Sequence, residues 1–298
     1  TDDLYGGTLR LFERVRRRRR QWSPPGHRAG KLLAGRRLLT KGRTVMASAS
    51  APWPDWALRA ASAVVLLAAW QVLAGLAGSP LVPTPMAVAA GVYRHATDGG
   101  LFHHLGATLG RVAMSFIAAM GIGAAIGIVM GERRAVDRFF DLWLMLGLNI
   151  PALVIMILCY VWLGLNEAAA VLAVTLNKIP LVVVTVREGA RAVDRELLQV
   201  AEVLRLSRRR TLFQVYLPQL YPYLIAAARN GLSLIWKIVL VVELIGRSSG
   251  VGFQLGVYFQ FFDIASVLAY TVAFVAVVFV VEAAVMRPLE RRLNEWRP

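Results

Sequence analysis

The chain has 298 residues, 57% of them hydrophobic, and a mean hydropathy of +0.55, which lies outside the range of ordinary soluble domains. Its formal charge is +16 and it holds one cysteine, Cys159, inside an apolar run, so a disulfide framework and a cysteine metal cluster are excluded. These figures predict a protein that crosses a membrane several times.

The charge is concentrated at the front. Residues 1–45 carry thirteen Arg and Lys against three acids, which supplies +10 of the total. The five arginines at 16–20 have the charge to attract nucleic acid or anionic lipid, but no aromatic interleaving or folded motif supports nucleic-acid readout. Residues 21–35 contain Pro, Gly and Arg where a signal peptide would have an apolar core. Residues 1–50 are therefore expected to be a disordered basic extension on the cytoplasmic side, or a segment outside the functional protein. Met46 precedes a more ordinary start, and 51–298 are expected to form the membrane domain.

Runs long enough to span lie near 56–77, 107–131, 141–163, 168–186, 223–245 and 264–286. Trp53, Trp56 and Trp162 fall at their ends, where interfacial aromatics belong. Between the first two runs, His103 and His104 read as solvated residues of a polar loop. In the second run Gly123, Gly127 and Gly131, preceded by Ala119, line one helical face. A neighbouring helix can approach closely there and gain dispersion contacts, which predicts packing within the chain over a dimer seam.

Polar residues inside the runs are few. Asn149 precedes Pro151 in the third, Asn177 and Lys178 precede Pro180 in the fourth, Lys237 and Glu243 lie in the fifth, and Glu282 in the sixth. A charge facing lipid near the bilayer centre costs at least about 2.5–3.5 kcal/mol, so such residues face the bundle interior or an aqueous path. Prolines near mid-span free backbone groups, which is tolerated beside a cavity. Asn149, Asn177, Lys178, Lys237 and Glu243 are accordingly candidates for a translocation path. The competing reading is that Lys237 and Glu243 neutralise partners within the bundle, and at a separation of six they do not share a face.

The loops alternate in charge. Arg133, Arg134 and Arg138 lie in one short loop, an arginine-rich segment follows in the next loop on that side, and Arg287, Arg291, Arg292 and Arg297 close the chain. The opposite loops carry little beyond Arg94 and Arg247. The positive-inside bias puts both termini and the arginine-rich segment in the cytoplasm.

That segment, 187–222, is too polar to span, yet Leu197, Leu198, Ala201 and Leu204, then Leu212, Phe213, Tyr216 and Leu217, recur at helical spacing. The spacing predicts two short helices joined at Arg205-Leu206-Ser207, with Ser207 capping the second, halted by Pro218 and Pro222. An ordered amphipathic hairpin in the longest internal loop reads as a docking element, or else as a helix lying on anionic lipid.

The stretch Gln199-Val200-Ala201-Glu202-Val203-Leu204-Arg205-Leu206-Ser207, with Val215-Tyr216-Leu217-Pro218 after it, resembles the "EAA" loop of bacterial ABC importer permeases, whose pattern is E-A-A-x-x-x-G followed about ten residues later by a hydrophobic-Leu-Pro. Gln199 stands where that family has Glu. Arg205 stands at the glycine, so a turn that calls for positive φ falls to a residue that resists it. From about Pro80 onward, Val82-Pro83-Thr84-Pro85, the stretch from Thr108 through Arg111 to Gly131, Glu243 and Ser249-Gly250-Val251-Gly252 resemble the nitrate/sulfonate/taurine branch of these permeases. The resemblance implies an all-α membrane protein with about six transmembrane helices, the type I ABC importer (MetI-like) permease fold, and a cytoplasmic coupling helix. Gln199, Ala201, Leu204, Arg205, Leu206, Ser207 and Pro218 are then the ATPase-coupling residues. The implied place is the bacterial plasma (inner) membrane. The implied partners are a second copy of the permease, two ATP-binding-cassette ATPase subunits holding ATP and Mg, an extracytoplasmic solute-binding protein and membrane lipid. Nitrate, a sulfonate or taurine is the implied solute.

No phosphate-binding glycine loop, nucleophile elbow, His-Glu-x-x-His or carboxylate dyad occurs, so the chain is expected to be no enzyme and to bind no metal, cofactor or nucleic acid. Any energy from ATP must come from another chain, through the hairpin. The alternative is a secondary transporter that couples ions through its buried Lys and Glu, with the hairpin on the membrane surface, although no internal repeat supports it. A polytopic membrane enzyme would need clustered His or acids at a membrane face, which the sequence lacks.

Overall fold

A computed structural model describes residues 54–97 and 100–288. The basic extension expected at 1–50, Trp53, and the last arginines at 291, 292 and 297 lie outside the described residues. The chain divides into two units, Thr1–Ala61 and Ser62–Pro298. The described part of the first is the opening of one helix, and the second holds the bundle.

Helix α1 (Asp55–Ala77) ends at Gly78, whose φ of +57° only glycine adopts at little cost. Helix α2 (Pro85–Thr97) starts on a proline, with the Thr84 hydroxyl accepting from Ala87 N–H at 3.2 Å. Helix α3 (Gly100–Glu132) begins before its apolar run, so His103 and His104 are helical rather than in a polar loop. His104 is half-buried, and its Nδ1 accepts from Gly250 N–H at 3.1 Å.

The third expected span is broken. Helix α4 (Arg134–Asn149) and helix α5 (Ala152–Leu163) meet at 95°. Pro151 has no N–H to continue the ladder and forces Ile150 to be extended, while Asn149 Nδ2 donates to Met145 O at 2.7 Å. Helix α6 (Glu167–Arg191), capped by Asn166, runs straight through Pro180. The proline ring faces Gly147, where an added Cβ would meet it at 2.9 Å.

Helix α7 (Arg195–Val203) and helix α8 (Arg208–Thr211) form the hairpin. Pro218 and Pro222 do not halt its second arm. That arm passes through a π-helical stretch, Leu212–Tyr216, into helix α9 (Leu217–Gly246). Leu217 N–H bonds Leu212 O in that wider register, which keeps the Pro218 ring clear of the preceding carbonyl. Helix α10 (Val251–Gln260) and helix α11 (Ile264–Val281) complete the bundle, the latter followed by a π stretch, Glu282–Met286. No strand occurs among the described residues. Among the described residues, five helices are long and apolar enough to cross a membrane, or six if the bent pair counts as one span.

The glycine stripe of α3 lies against α6. Cβ atoms built on Gly123, Gly127 and Gly131 would stand 2.7 Å from Val182, 2.9 Å from Val183 O and 2.5 Å from Ala190. Gly189 of α6 receives Tyr223 and Leu220 of α9 in the same way. Small residues bring α3 to backbone contact with α6 and let side chains of α9 seat on the α6 backbone, where dispersion replaces lipid contacts. The core divides along them: Val182, Val186, Tyr216, Leu220 and Ala227 cluster toward the hairpin, and Met156, Val174, Ile235, Val239 and Tyr270 toward the opposite end.

Candidate functional site: an exposed hairpin and a buried ion-pair lock

Asp194 opens the hairpin, its carboxylate accepting from Glu196 N–H at 2.8 Å. The root is held by Gln219, which accepts from Asp194 N–H through Oε1 at 2.8 Å and donates through Nε2 to Val215 O at 2.9 Å. At the far end Arg205 takes a φ of +51°. Its N–H bonds Glu202 O at 2.8 Å, and Leu206 N–H bonds Ala201 O at 3.0 Å. This pair of bonds is a Schellman cap, so the left-handed turn survives with arginine in place of glycine. Ser207 then caps α8, its hydroxyl accepting from Arg210 N–H at 3.4 Å.

The hairpin has two faces. Ala201 is buried, and Leu198, Tyr216 and Leu220 pack in the adjoining core. Ala201 therefore anchors the hairpin rather than offering an outer contact, because the one-methyl side chain sits on the inward face of α7. The outward side shows Gln199, Val200, Arg205 and Ser207, with Val203 81% and Leu204 53% exposed. Leu206 is half-buried and Pro218 exposed. Val200 and Val203 complete an apolar ridge that the motif alone does not pick out.

Among the expected path residues, Asn149 and Lys237 are exposed and Asn177 is half-buried. Lys178 is 3% exposed and has neither ion pair nor hydrogen bond among the described residues. Lys237 shares a face of α9 with Asn230 and Ser233, also exposed and not singled out by sequence. Neighbouring Arg229 meets Glu282 at 3.4 Å.

Glu243 departs from the path reading: it is 0% exposed and its partners enclose it. Arg111 Nη1 donates to its Oε1 at 2.7 Å, and Thr108 Oγ1 and Gly252 N–H donate to its Oε2 at 2.9 Å each. Arg111, 3% exposed, grips Glu167 with Nε and Nη2 at 2.8 and 2.7 Å, and also donates to Ser249 O and Oγ at 2.7 and 2.9 Å. Arg247 adds a third bond to Glu167 at 2.5 Å. Two guanidinium groups thus meet two carboxylates, so the cluster is neutral overall and its oxygens are satisfied, the condition for tolerating charge in a dry interior. The Ser249-Gly250-Val251-Gly252 motif gains its meaning here. A Cβ on Gly250 would fall 2.3 Å from the Glu243 carboxyl carbon, and one on Gly252 only 2.1 Å from Leu240 O. The lock joins α3, α6, α9 and the start of α10. A second network at the other end ties Arg187 to Asp137 at 3.2 Å and to Asp141 at 2.7 Å, with Arg191 bridging Asp137 and Glu188.

Two outcomes follow for stability. Glu243→Ala strands the Arg111 charge against only its half-exposed partner and is expected to cost about 3–5 kcal/mol. This appears as a large drop in the thermal midpoint of the detergent-solubilised protein, against a small one for Glu167→Ala. Equal midpoints for wild type and Glu243→Ala would remove the lock from the fold's foundations. Arg205→Gly relieves the left-handed strain and is expected to gain about 0.5–1 kcal/mol after the extra chain entropy glycine brings, whereas Arg205→Val loses about 1–2 kcal/mol. Amide hydrogen exchange over residues 204–207 reads both, and slower exchange in the valine variant would contradict the turn assignment.

The model of the family "Binding-protein-dependent transport system inner membrane component" matches residues 119–295. SsuC of Bacillus subtilis (strain 168), provisionally named an aliphatic sulfonates transport permease protein, is 32% identical over 78% of this chain and 85% of its own length. The taurine transport system permease protein TauC of Escherichia coli (strain K12) is 30% identical over 78% of this chain and 86% of its own. A chain of the MetNI methionine ABC transporter, solved in an inward-facing conformation, superposes with a TM-score of 0.54 at 18% identity, covering 63% of this chain and 93% of that one. The fold is therefore of the MetI type. The chain belongs to the inner membrane components of binding-protein-dependent transport systems, as an ABC transporter permease.

Proposed function

We propose that two copies of this chain form the membrane-spanning part of an ATP-driven importer, and that the α7–α8 hairpin docks on a separate ATPase subunit that holds ATP and Mg. The carrying observation is the uncovered ridge of Val200, Val203 and Leu204 on an otherwise capped and anchored hairpin. Apolar side chains fixed in contact with water call for a partner with an apolar cleft. The secondary-transporter reading has no support from the family to which the chain belongs.

The path is proposed along the exposed Asn230, Ser233 and Lys237 face of α9, with Lys178, Asn177 and Asn149 contributing. A polar row on a membrane helix is too costly to leave against lipid, so a second copy and an aqueous path between the copies account for it. Two lysines without carboxylate partners favour an anionic solute. Nitrate, a sulfonate or taurine, handed over by an extracytoplasmic binding protein, fits that preference and the names of the relatives. The positive-inside bias of the arginine-rich loops supports a cytoplasmic hairpin and cytoplasmic termini in this multi-pass inner-membrane protein.

The test is uptake of radiolabelled taurine and nitrate into proteoliposomes carrying the permease, its ATPase subunits and the binding protein. Lys237→Met keeps apolar bulk but deletes the charge, and is expected to lower anion uptake about tenfold, because an ammonium in a desolvated path attracts more strongly than in water. The complex should keep its wild-type mass of two permeases and two ATPases. Leu204→Asp inserts a charge into the proposed cleft and is expected to abolish solute-stimulated ATP hydrolysis. Wild-type uptake by Lys237→Met would make that lysine structural, and normal coupling by Leu204→Asp would remove the hairpin from the ATPase contact.

A further inference from the structure

The hairpin tip carries more positive charge than an apolar docking ridge requires. Arg205, Arg208, Arg209 and Arg210 are exposed, and their guanidinium groups have no partner among the described residues. The acids of the hairpin, Asp194, Glu196 and Glu202, all lie on its first arm, and residues 203–217 contain none. Four cations crowded within six residues repel one another unless an anionic surface meets them.

That surface is either lipid headgroups or protein, and the position of the arginines decides between them. The network of Arg187, Arg191, Asp137, Asp141 and Glu188 marks where the apolar zone of the bundle ends. Gly189, within that level, packs on Leu220 and Tyr223, so α9 leaves the apolar zone near those residues. Arg210 lies ten to thirteen residues farther along a continuous helical arm, about 15–20 Å along its axis. A headgroup layer is only about 5–8 Å deep on each side. On an arm that keeps near the membrane normal, that length carries the arginines past the headgroup layer, beside the ridge of Val203 and Leu204.

We propose that these four arginines form a basic clamp around the docking ridge, and that the cognate ATPase subunit surrounds its cleft with an acidic rim. The ridge supplies burial and the clamp supplies selection, since a basic rim is repelled by the arginines and a neutral one gains no charge attraction. The inference rests on reading the hairpin as the ATPase dock.

The experiment places the permease in nanodiscs of neutral phosphatidylcholine and measures binding of the ATPase subunits taken from its own intact complex. Raising NaCl from about 50 to about 500 mM is expected to weaken wild-type binding about tenfold by screening. The triple variant Arg208→Gln, Arg209→Gln, Arg210→Gln should bind about tenfold more weakly at low salt and respond little to further salt. The corresponding triple lysine variant should bind like wild type, which separates charge from misfolding. Leu204→Asp should lose binding at both salt levels. Wild-type affinity and salt response in the triple glutamine variant would overturn the clamp. So would a defect that appears only in discs containing phosphatidylglycerol, which would assign the arginines to lipid. If Leu204→Asp also binds normally, the docking reading itself fails. If only Leu204→Asp fails to bind, docking stands and the clamp does not.

Discussion

A guanidinium inside a membrane bundle has to be neutralised where it sits, and in this protein the arrangement of helices around Arg111 does so. Its five donors reach Glu167, Glu243 and Ser249, which brings α3, α6, α9 and the loop before α10 to one point. The Glu243 contact is strong because water is excluded and would be a liability if one member were missing, whereas the half-exposed Glu167 contributes less. Glycine at 250 and 252 is then a steric requirement of the carboxylate, since any side chain there would occupy the space of Glu243 or of the Leu240 carbonyl. Tyr160, stacked over Gly246 and donating to Val242 O at 2.9 Å, seals the same helix end.

Away from the lock, the bundle is held by close approach rather than by polarity. Lipid tails are as apolar as leucine, so burying a leucine in the bundle gains little over leaving it in lipid. What gains is contact density, and the Gly123, Gly127 and Gly131 stripe obtains it by bringing α3 onto the backbone of α6. Gly189 repeats the device between α6 and α9. The helix that carries the hairpin is thus packed against the centre of the bundle by Tyr223 and Leu220 seated on the bare backbone of Gly189.

The parts legible in sequence are those with local physical causes. Apolar runs give the spans, and the spacing from Arg205 to Leu217-Pro218 gives the hairpin, because a Schellman cap is made by residues five apart. Arg111 was visible only as part of a motif, since the carboxylates that explain it lie 56 and 132 residues away. Its signal was present all the same: a lone cation deep in the longest apolar segment demands carboxylates elsewhere, and Glu243 beside a glycine-rich turn was one of them. The break at Asn149-Ile150-Pro151 was hidden because hydropathy averages across a turn that the proline itself announces. Pro218 and Pro222 misled in the opposite direction. The rule that proline ends a helix assumes the α register, and a π stretch removes that assumption at Pro218, whereas Pro222 is carried within the α-helix itself.

The same π stretch bears on how force crosses the protein. The arm from Arg208 to Gly246 is a single helical element of 39 residues, with the hairpin turn at one end and Glu243 at the other. Its backbone irregularities, Leu212–Tyr216 and Pro222, both fall between the hairpin tip and the apolar span. Bending is easiest where the ladder of hydrogen bonds is already interrupted, so any flexure belongs to that short root. Beyond Pro222 the helix is packed on Gly189 and then fixed through Glu243 to Arg111, which ties it to α6 and α3. Gln219 bridges Asp194 N–H and Val215 O across the root, which limits how far the hairpin can swing independently. Under the docking proposal, a displacement of Leu204 reaches the packed helices through this root, which Gln219 and the contacts of Gly189 and Glu243 tie to the bundle.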